Sequence, residues 1–147
     1  MKLHVLAIAI VIALSYWAIR PLLGPGFFPM HDDTQVARVA VMAKALHEGQ
    51  FPVRWVGDLG YGYGYPIFNF YGPLPYYVGG LLAAAGIDAV VATKLMFAIG
   101  ILLSGVSMYL LGNLAAGRVG GIVGSLLYLY APYHAVEIYV RGAVGEF

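Results

Sequence analysis

The sequence predicts an all-α, polytopic membrane protein: about three spanning helices, interfacial helices and an aromatic-rich outer loop, forming a single membrane domain over residues 1–147. Hydrophobic residues make up 61% of the 147 residues and charged residues only 10%, whereas soluble domains average about 25% charged residues. A chain this short has too much surface for a large core to explain that composition. Lipid must therefore be the solvent for much of the chain.

Two further properties of the composition exclude classes of function. The net charge of +1 argues against nucleic acid as a partner, because such proteins carry a basic face. The chain contains no Cys, which excludes disulfides, thiolate nucleophiles and Cys-ligated metals.

The first apolar run, residues 3–20, predicts transmembrane helix 1. Its length lies at the low end of the spanning range of about 17 to 25 residues. A signal peptide is the alternative, but no small-residue cleavage site follows the run. Because Lys2 precedes the run, the positive-inside rule predicts a cytoplasmic N-terminus in the cell inner (plasma) membrane, with residues 21–73 outside.

Within the outer loop, residues 33–48 predict an amphipathic helix at the membrane surface. Asp32 and Gln35 have the spacing of a capping box, and Gly49 suits the residue just beyond the helix. Charged residues fall on other faces. The predicted apolar stripe consists of Val36, Val39, Ala40, Ala43 and Leu46.

The tripeptide His31-Asp32-Asp33 at the start of that helix is the candidate catalytic motif. A helix cap explains one aspartate and needs no function. Two adjacent carboxylates can also attract a divalent cation, such as Mg or Mn, or accept a proton from a hydroxyl nucleophile. A zinc site is not expected, because His31 has no partner at ligand spacing.

Residues 51–77 contain ten of the 21 aromatic residues. Alternating Gly and Tyr exclude a regular helix there. One interpretation is an aromatic belt at the lipid headgroups. The other is a groove in which Trp55, Tyr63 and Tyr65 stack on a sugar or isoprenoid while Arg54 faces an anion. An internal ion pair of Arg54 with Asp58 is the alternative for that arginine.

The remaining apolar segments predict two more crossings. Residues 74–86 rise only about 20 Å, less than the roughly 30 Å hydrocarbon core, and predict an interfacial or re-entrant helix. Residues 89–112 and 119–138 are long enough to span. Arg118 lies between these two segments, which places their link in the cytoplasm. A fourth crossing at residues 74–86 is the alternative.

Three crossings place residues 139–147, the start of a second outer loop, on the same side as Asp32 and Asp33. Glu137 and Arg141 have a helical ion-pair spacing. Arg141 and Glu146 are nevertheless candidate substrate-binding residues, because charge at the membrane surface is costly and tends to be functional. Residues 139–147 begin a new sequence pattern that is still incomplete at residue 147, so we expect a fragment of a longer multi-spanning protein.

Four strings of the sequence together resemble one family. They are H-D-D, G-Q-F-P-V-R-W, G-Y-G-Y-P-x-F-x-F-Y-x-P-L-P-Y-Y and Y-V-R-G-x-x-x-E. The chain is similar over residues 20–147 to the N-terminal part of bacterial membrane proteins called 6-pyruvoyl-tetrahydropterin synthase-related. That family in turn resembles GT-C superfamily membrane glycosyltransferases in its layout. The zinc chemistry of the pterin enzyme has no His cluster to support it here.

The resemblance to GT-C enzymes implies a polyprenyl-phosphate-linked sugar donor and an acidic residue in the first outer loop, which here is Asp32 or Asp33. That residue would take the proton of the acceptor hydroxyl or hold a metal. Arg54 or Arg141 would bind the lipid phosphate, and His31 and the aromatic residues would seat the substrate. The first loop departs from the metal-dependent members in having no second acidic cluster, only Asp58, so a metal is not a firm expectation.

A non-catalytic membrane protein is the main alternative. It would be a scaffold or an assembly or export partner, working with other membrane subunits in cell-envelope polysaccharide synthesis. A transporter is less favoured, because the spanning segments carry almost no polar side chains.

Overall fold

The structure, a computed structural model, describes residues 2–146 and confirms that the chain is all-helical, with 69% helix and no strand in that range. The six α-helices are α1 (Lys2–Leu14), α2 (Tyr16–Ile19), α3 (Gln35–His47), α4 (Pro73–Ala84), α5 (Ala89–Leu129) and α6 (Pro132–Val136). Two short 3₁₀ turns (Arg20–Leu23 and Ile67–Asn69) and a π-helical turn (Glu137–Arg141) complete the elements.

Two helical segments, Leu3–Leu23 and Ala89–Leu129, are long and apolar enough to cross a membrane, judged by length and composition. The first consists of α1, α2 and the 3₁₀ turn. Its helix is interrupted at Ser15, whose hydroxyl donates to the Ile12 carbonyl at 2.7 Å. The apolar segment extends over 21 residues and ends three residues beyond the predicted end at 20.

The long helix α5 is folded back on itself. Ala116 and Gly117 leave the helical region, and Gly117 has φ +70°. The two halves then pack side by side: Ser125 Oγ donates to the Gly105 carbonyl at 2.7 Å, and a Cβ at Gly121 would lie 2.8 Å from the Tyr109 carbonyl. These two halves correspond in position to the segments predicted at residues 89–112 and 119–138. The second prediction is too long, because the helix ends at Leu129 and Pro132 starts a separate helix, α6.

The structure of helix α3 differs in two respects from the amphipathic helix predicted at residues 33–48. It begins at Gln35 with Thr34 as its N-cap and no side-chain cap bond, so Asp32 is not the cap. Its buried face is also rotated from the predicted stripe. Of that stripe only Val39 and Ala43 are buried, beside Gln35, Arg38, Met42 and Ala45. The predicted helix end is confirmed, since Gly49 follows it with φ +80°.

Helices α3 and α4 approach closely through two glycines. A Cβ at Gly80 would lie 2.3 Å from Met42 Cγ, and one at Gly79 would lie 2.8 Å from a methyl of Val39. Gly79 also faces Met96 of α5. A helix is present where residues 74–86 predict one, as Pro73–Ala84 with Pro73 in its first turn, and its interfacial or re-entrant position stays a prediction. This packing brings the beginnings of α3 and α4 within reach of the C-terminal segment.

Candidate functional site

The His31-Asp32 backbone joins the C-terminal segment directly. The His31 amide donates to the Val140 carbonyl at 2.8 Å, and the Asp32 amide donates to the Arg141 carbonyl at 2.9 Å. Gly142 permits this approach, because it has φ +69° and a Cβ there would lie 2.2 Å from Met30 Sδ. The two segments that the predicted topology placed on one side are thus in contact.

The Asp32 carboxylate accepts hydrogen bonds from three side chains. Thr34 Oγ1 donates to Oδ1 at 3.0 Å. Gln35 Nε2 and Arg38 Nη1 each donate to Oδ2 at 3.0 Å. The Asp32 side chain is 35% exposed, so a carboxylate fixed on one side by its neighbours still faces the solvent on the other.

Behind Asp32 lies a buried network of Gln35, Arg38 and Tyr76. Arg38 Nη1 lies 3.0 Å from the Tyr76 hydroxyl, and that hydroxyl donates to Gln35 Oε1 at 2.8 Å. The guanidinium stacks over the Tyr71 ring at 4.2 Å. Burial lowers the pKa of Arg38, but the Tyr76 hydrogen bond and the Asp32 charge outweigh it and raise the pKa. Arg38 therefore stays a cation, although only 7% of it is exposed.

Arg141 is held between two carboxylates. Its Nη1 lies 2.6 and 2.7 Å from the two oxygens of Glu137 and 2.8 Å from Glu146 Oε2. These two partners raise the pKa of Arg141 above its ordinary value. The predicted ion pair at helical spacing is confirmed, and Glu146 is an additional partner.

These groups surround a cavity of about 410 Å³. Two acidic and two basic side chains line it, so their formal charges cancel. Of the predicted site residues, it brings together His31, Asp32, Arg141 and Glu146. The remaining lining residues are Arg38, Phe70, Tyr71, Gly72, Tyr76, Ala143, Val144 and Gly145.

Five predicted site residues do not line this cavity: Asp33, Arg54, Trp55, Tyr63 and Tyr65. All five are exposed. The alternative ion pair of Arg54 with Asp58 is wrong, because Asp58 instead accepts two hydrogen bonds from Lys44 Nζ, at 2.7 and 2.8 Å. The hydrogen bonds to Asp58, together with its charge, raise the pKa of Lys44.

Trp55, Tyr63 and Tyr65 belong to a separate braced loop, residues 55–65. Backbone hydrogen bonds join Val56 and Tyr65 in both directions, at 3.1 and 2.9 Å. The Gln50 side chain contacts the backbone of Arg54 and Trp55 through three hydrogen bonds. The backbone of the loop is thus held by hydrogen bonds, and its exposed aromatic side chains do not line the polar cavity.

An apolar groove of about 140 Å³ lies between α4 and α5 and shares Val144 with the polar cavity. Its lining contains no charged residue: Leu74, Pro75, Val78, Met96, Phe97, Ile99, Gly100, Leu103 and Val144. A polar cavity beside an apolar groove has the two environments that an amphiphile requires.

The Asp32–Asp33 pair does not fit a metal ion as it stands. Residues 2–146 contain no group of three His, Asp or Glu side chains placed to hold one. Asp32 Oδ2 already has two donors, and Asp33 lies outside the cavity. A cation here stays a prediction, and none of the chemistry below passes through one.

Sequence reasoning missed Arg38, Tyr71 and Tyr76. The expectation that charged residues fall outside the buried face of α3 is wrong for Arg38. Arg38 is three residues after Gln35 and four before Met42, which places all three on one stripe of the helix. The sequence signal that could have identified Arg38 is this stripe, which is polar at Gln35 and Arg38 and apolar at Met42.

The class that the structure defines is an all-helical protein with two helices long and apolar enough to cross a membrane. No protein-family model matches the chain, and searches of curated proteins and of solved structures give no significant match.

Proposed function

We propose that this chain is the N-terminal region of a GT-C-like membrane glycosyltransferase, which transfers a sugar from a polyprenyl-phosphate-linked donor on the extracytoplasmic side of the plasma membrane. The single observation that carries the proposal is the meeting of Asp32 and Arg141 in one cavity that adjoins an apolar groove. This reaction requires a carboxylate to take the proton of the acceptor hydroxyl and a cation to bind the phosphate. It also requires an apolar groove to hold the polyprenyl chain of the donor.

In the proposed reaction the acceptor hydroxyl oxygen attacks the anomeric carbon of the donor sugar. The bond from that carbon to the phosphate oxygen breaks, and the electron pair leaves with the lipid phosphate beside Arg141. The hydroxyl proton passes to the Asp32 carboxylate. Arg38 and Gln35 position this carboxylate, because both donate to its Oδ2.

The proposal uses a topology of three crossings with a cytoplasmic N-terminus. The break at Ala116 and Gly117 supports it, because the chain turns back there between two apolar segments. The first half of α5, about 27 residues at 1.5 Å per residue, rises about 40 Å, which is enough to cross. The second half reaches only Leu129 and rises about 18 Å, so the third crossing also requires the residues that follow it, through α6 and the π-helical turn. The beginning of α3 and the C-terminal segment then lie on the same side of the membrane.

A non-catalytic scaffold is the second candidate, and a different observation favours it. The braced loop carries Tyr61 and Tyr63 at its tip, with exposures of 103% and 89%. A fixed loop with exposed aromatic side chains suits contact with another membrane subunit.

The deciding experiment replaces Asp32→Asn and, separately, Asp33→Asn in the protein as its gene encodes it. Membranes are supplied with a panel of polyprenyl-phosphate hexoses, and release of polyprenyl phosphate is measured. We expect Asp32→Asn to lower the rate by about 100-fold or more, the usual contribution of a general base. Asp58→Asn is the matched control, because Asp58 is an exposed carboxylate outside the cavity. Normal release by both the Asp32 and the Asp33 variants would refute the catalytic proposal and favour the scaffold.

A further inference from the structure

We propose that Glu146 is a displaceable internal anion, which occupies on Arg141 the place of a ligand's phosphate and leaves when the ligand binds. The inference rests on the proposed function for the location of the ligand beside Arg141. It adds Glu146 as a competitor of the ligand, a role that the reaction itself does not require.

The two carboxylates on Arg141 are held differently. Glu137 is four residues before Arg141 in the same helical turn, both of its oxygens lie within 2.7 Å of Nη1, and its side chain is 2% exposed. Glu146 is 56% exposed and makes one short contact with Nη1, at 2.8 Å, and one long contact with Nη2, at 3.4 Å. An exposed pair is worth little, so Glu146 is the partner that can leave.

The geometry of the cavity favours the replacement of Glu146 by the anion of a ligand. Arg141 and Glu146 both line the cavity, and the Arg141 side chain is 44% exposed. When Glu146 leaves, Nη2 and part of Nη1 become open to the cavity while Glu137 keeps the side chain in place. A guanidinium with two open N–H groups binds two oxygens of one phosphate.

Glu146 also has room to move. It follows Gly145, which is exposed and has open space on all sides of the position where a Cβ would stand. One backbone hydrogen bond, from the Glu146 amide to the Ala143 carbonyl, holds it at 3.0 Å. Breaking this turn moves the carboxylate away from Arg141 without disturbing the Asp32–Arg141 backbone contact.

The ligand chemistry that this site recognises is a phosphate monoester, the form that the lipid phosphate has in the proposed reaction after the sugar has left. Because the apolar groove meets the cavity at Val144, an alkyl or isoprenyl phosphate fits both environments, whereas free phosphate fits the cavity alone.

The test is calorimetric titration of the detergent-solubilised full chain with hexyl phosphate and, separately, with inorganic phosphate. We expect Glu146→Gln to bind phosphate about fivefold more tightly than the unmodified protein, which is about what one exposed ion pair is worth. Arg141→Lys keeps the positive charge next to Glu137 but loses the two-point geometry, and we expect weaker binding. The matched control is Glu48→Gln, which removes the same charge from an exposed position at the end of α3.

A gain with both probes supports the inference for phosphate in general, and a gain with hexyl phosphate alone supports it and identifies an amphiphile. No gain with either probe overturns it, and so does an equal gain in Glu48→Gln, which would be an effect of net charge. Failure of the proposed function is distinguishable, because sugar transfer could be absent while Glu146→Gln still tightens phosphate binding.

Discussion

At the scale of single residues, Arg38 is the best measure of how the site is held together. It is a buried cation that contacts Asp32, Tyr76 and the Tyr71 ring. The Arg38 Nε, within the described chain, has no hydrogen-bond partner. Its hydrogen bonds to Asp32 and Tyr76 are therefore made by Nη1, at the end of the guanidinium.

Replacing Arg38→Met should lower the free energy of unfolding by about 2 kcal/mol. Removing one member of a fully buried pair costs about 3–5 kcal/mol, and the smaller figure applies because the Asp32 side chain is 35% exposed. The measurement is unfolding in detergent micelles followed by circular dichroism.

Arg54→Met serves as the control for this variant. Arg54 is exposed and lies outside the cavity, so the change should remain within about 0.5 kcal/mol. Equal losses in the two variants would show that the Arg38 network does not stabilise the fold.

The sequence pointed to three of the charged residues that line the cavity, but not to their surroundings. Asp32, Arg141 and Glu146 could be chosen because charge is rare in this chain and conspicuous when it occurs. Arg38 could not be distinguished from a solvated arginine by pattern alone. Its burial depends on Tyr76 of α4 and on Tyr71 in the segment just before that helix.

At the scale of elements, the fold of α5 on itself depends on small residues where the halves meet. A Cβ on Gly121 would lie 2.8 Å from the Tyr109 carbonyl and 3.0 Å from the Asn113 amide. Both contacts are with backbone atoms, which cannot turn aside as a side chain can. Close approach through small residues is the usual device for packing helices in lipid.

Gly121→Ala should therefore force the two halves of α5 apart and lower the free energy of unfolding by about 1–3 kcal/mol, the usual cost of overpacking. Gly124→Ala is the matched control, since its Cβ would meet only the Met108 methyl at 3.7 Å. We expect that variant to be neutral or slightly stabilising, because Ala is the better helix former. Resistance to unfolding by SDS compares the two, and equal stability would contradict the packing described.

The segments that form helices were predictable, and the faces that they bury were not. Apolar runs predict α4 to within two residues and the start of α5 at residue 89, but α5 ends at Leu129, nine residues before the predicted end at 138. The stripe that α3 buries is decided by Gly79 and Gly80 of α4, which admit Val39 and Met42. Periodicity within α3 contains no information about those glycines.

At the scale of the whole molecule, the proposed three crossings make a prediction about sidedness. The chain has no Cys, so single cysteines can be introduced as unique labels. Gly57→Cys and Gly145→Cys should react with an impermeant maleimide from outside intact cells. Leu114→Cys, next to the fold in α5 and 84% exposed, should react only after permeabilisation.

All three substituted positions are accessible enough for the comparison. A Cβ at Gly57 or Gly145 has nothing within 4 Å. Reaction of Gly57→Cys and Gly145→Cys from opposite sides would contradict the proposed topology, because the cavity requires both segments on one side.

The hydrogen bond from Gln35 to the Gly142 carbonyl joins residues 107 positions apart, and this separation has a consequence for the newborn protein. Ribosomes add about 5 to 20 residues per second. Gln35 must therefore wait on the order of 5 to 20 s before the Gly142 carbonyl that accepts its hydrogen bond has been made. During that interval the first helix and its loop have already been synthesised, while the buried network is still incomplete. A chaperone or insertase that shields this loop would find its substrate in that interval.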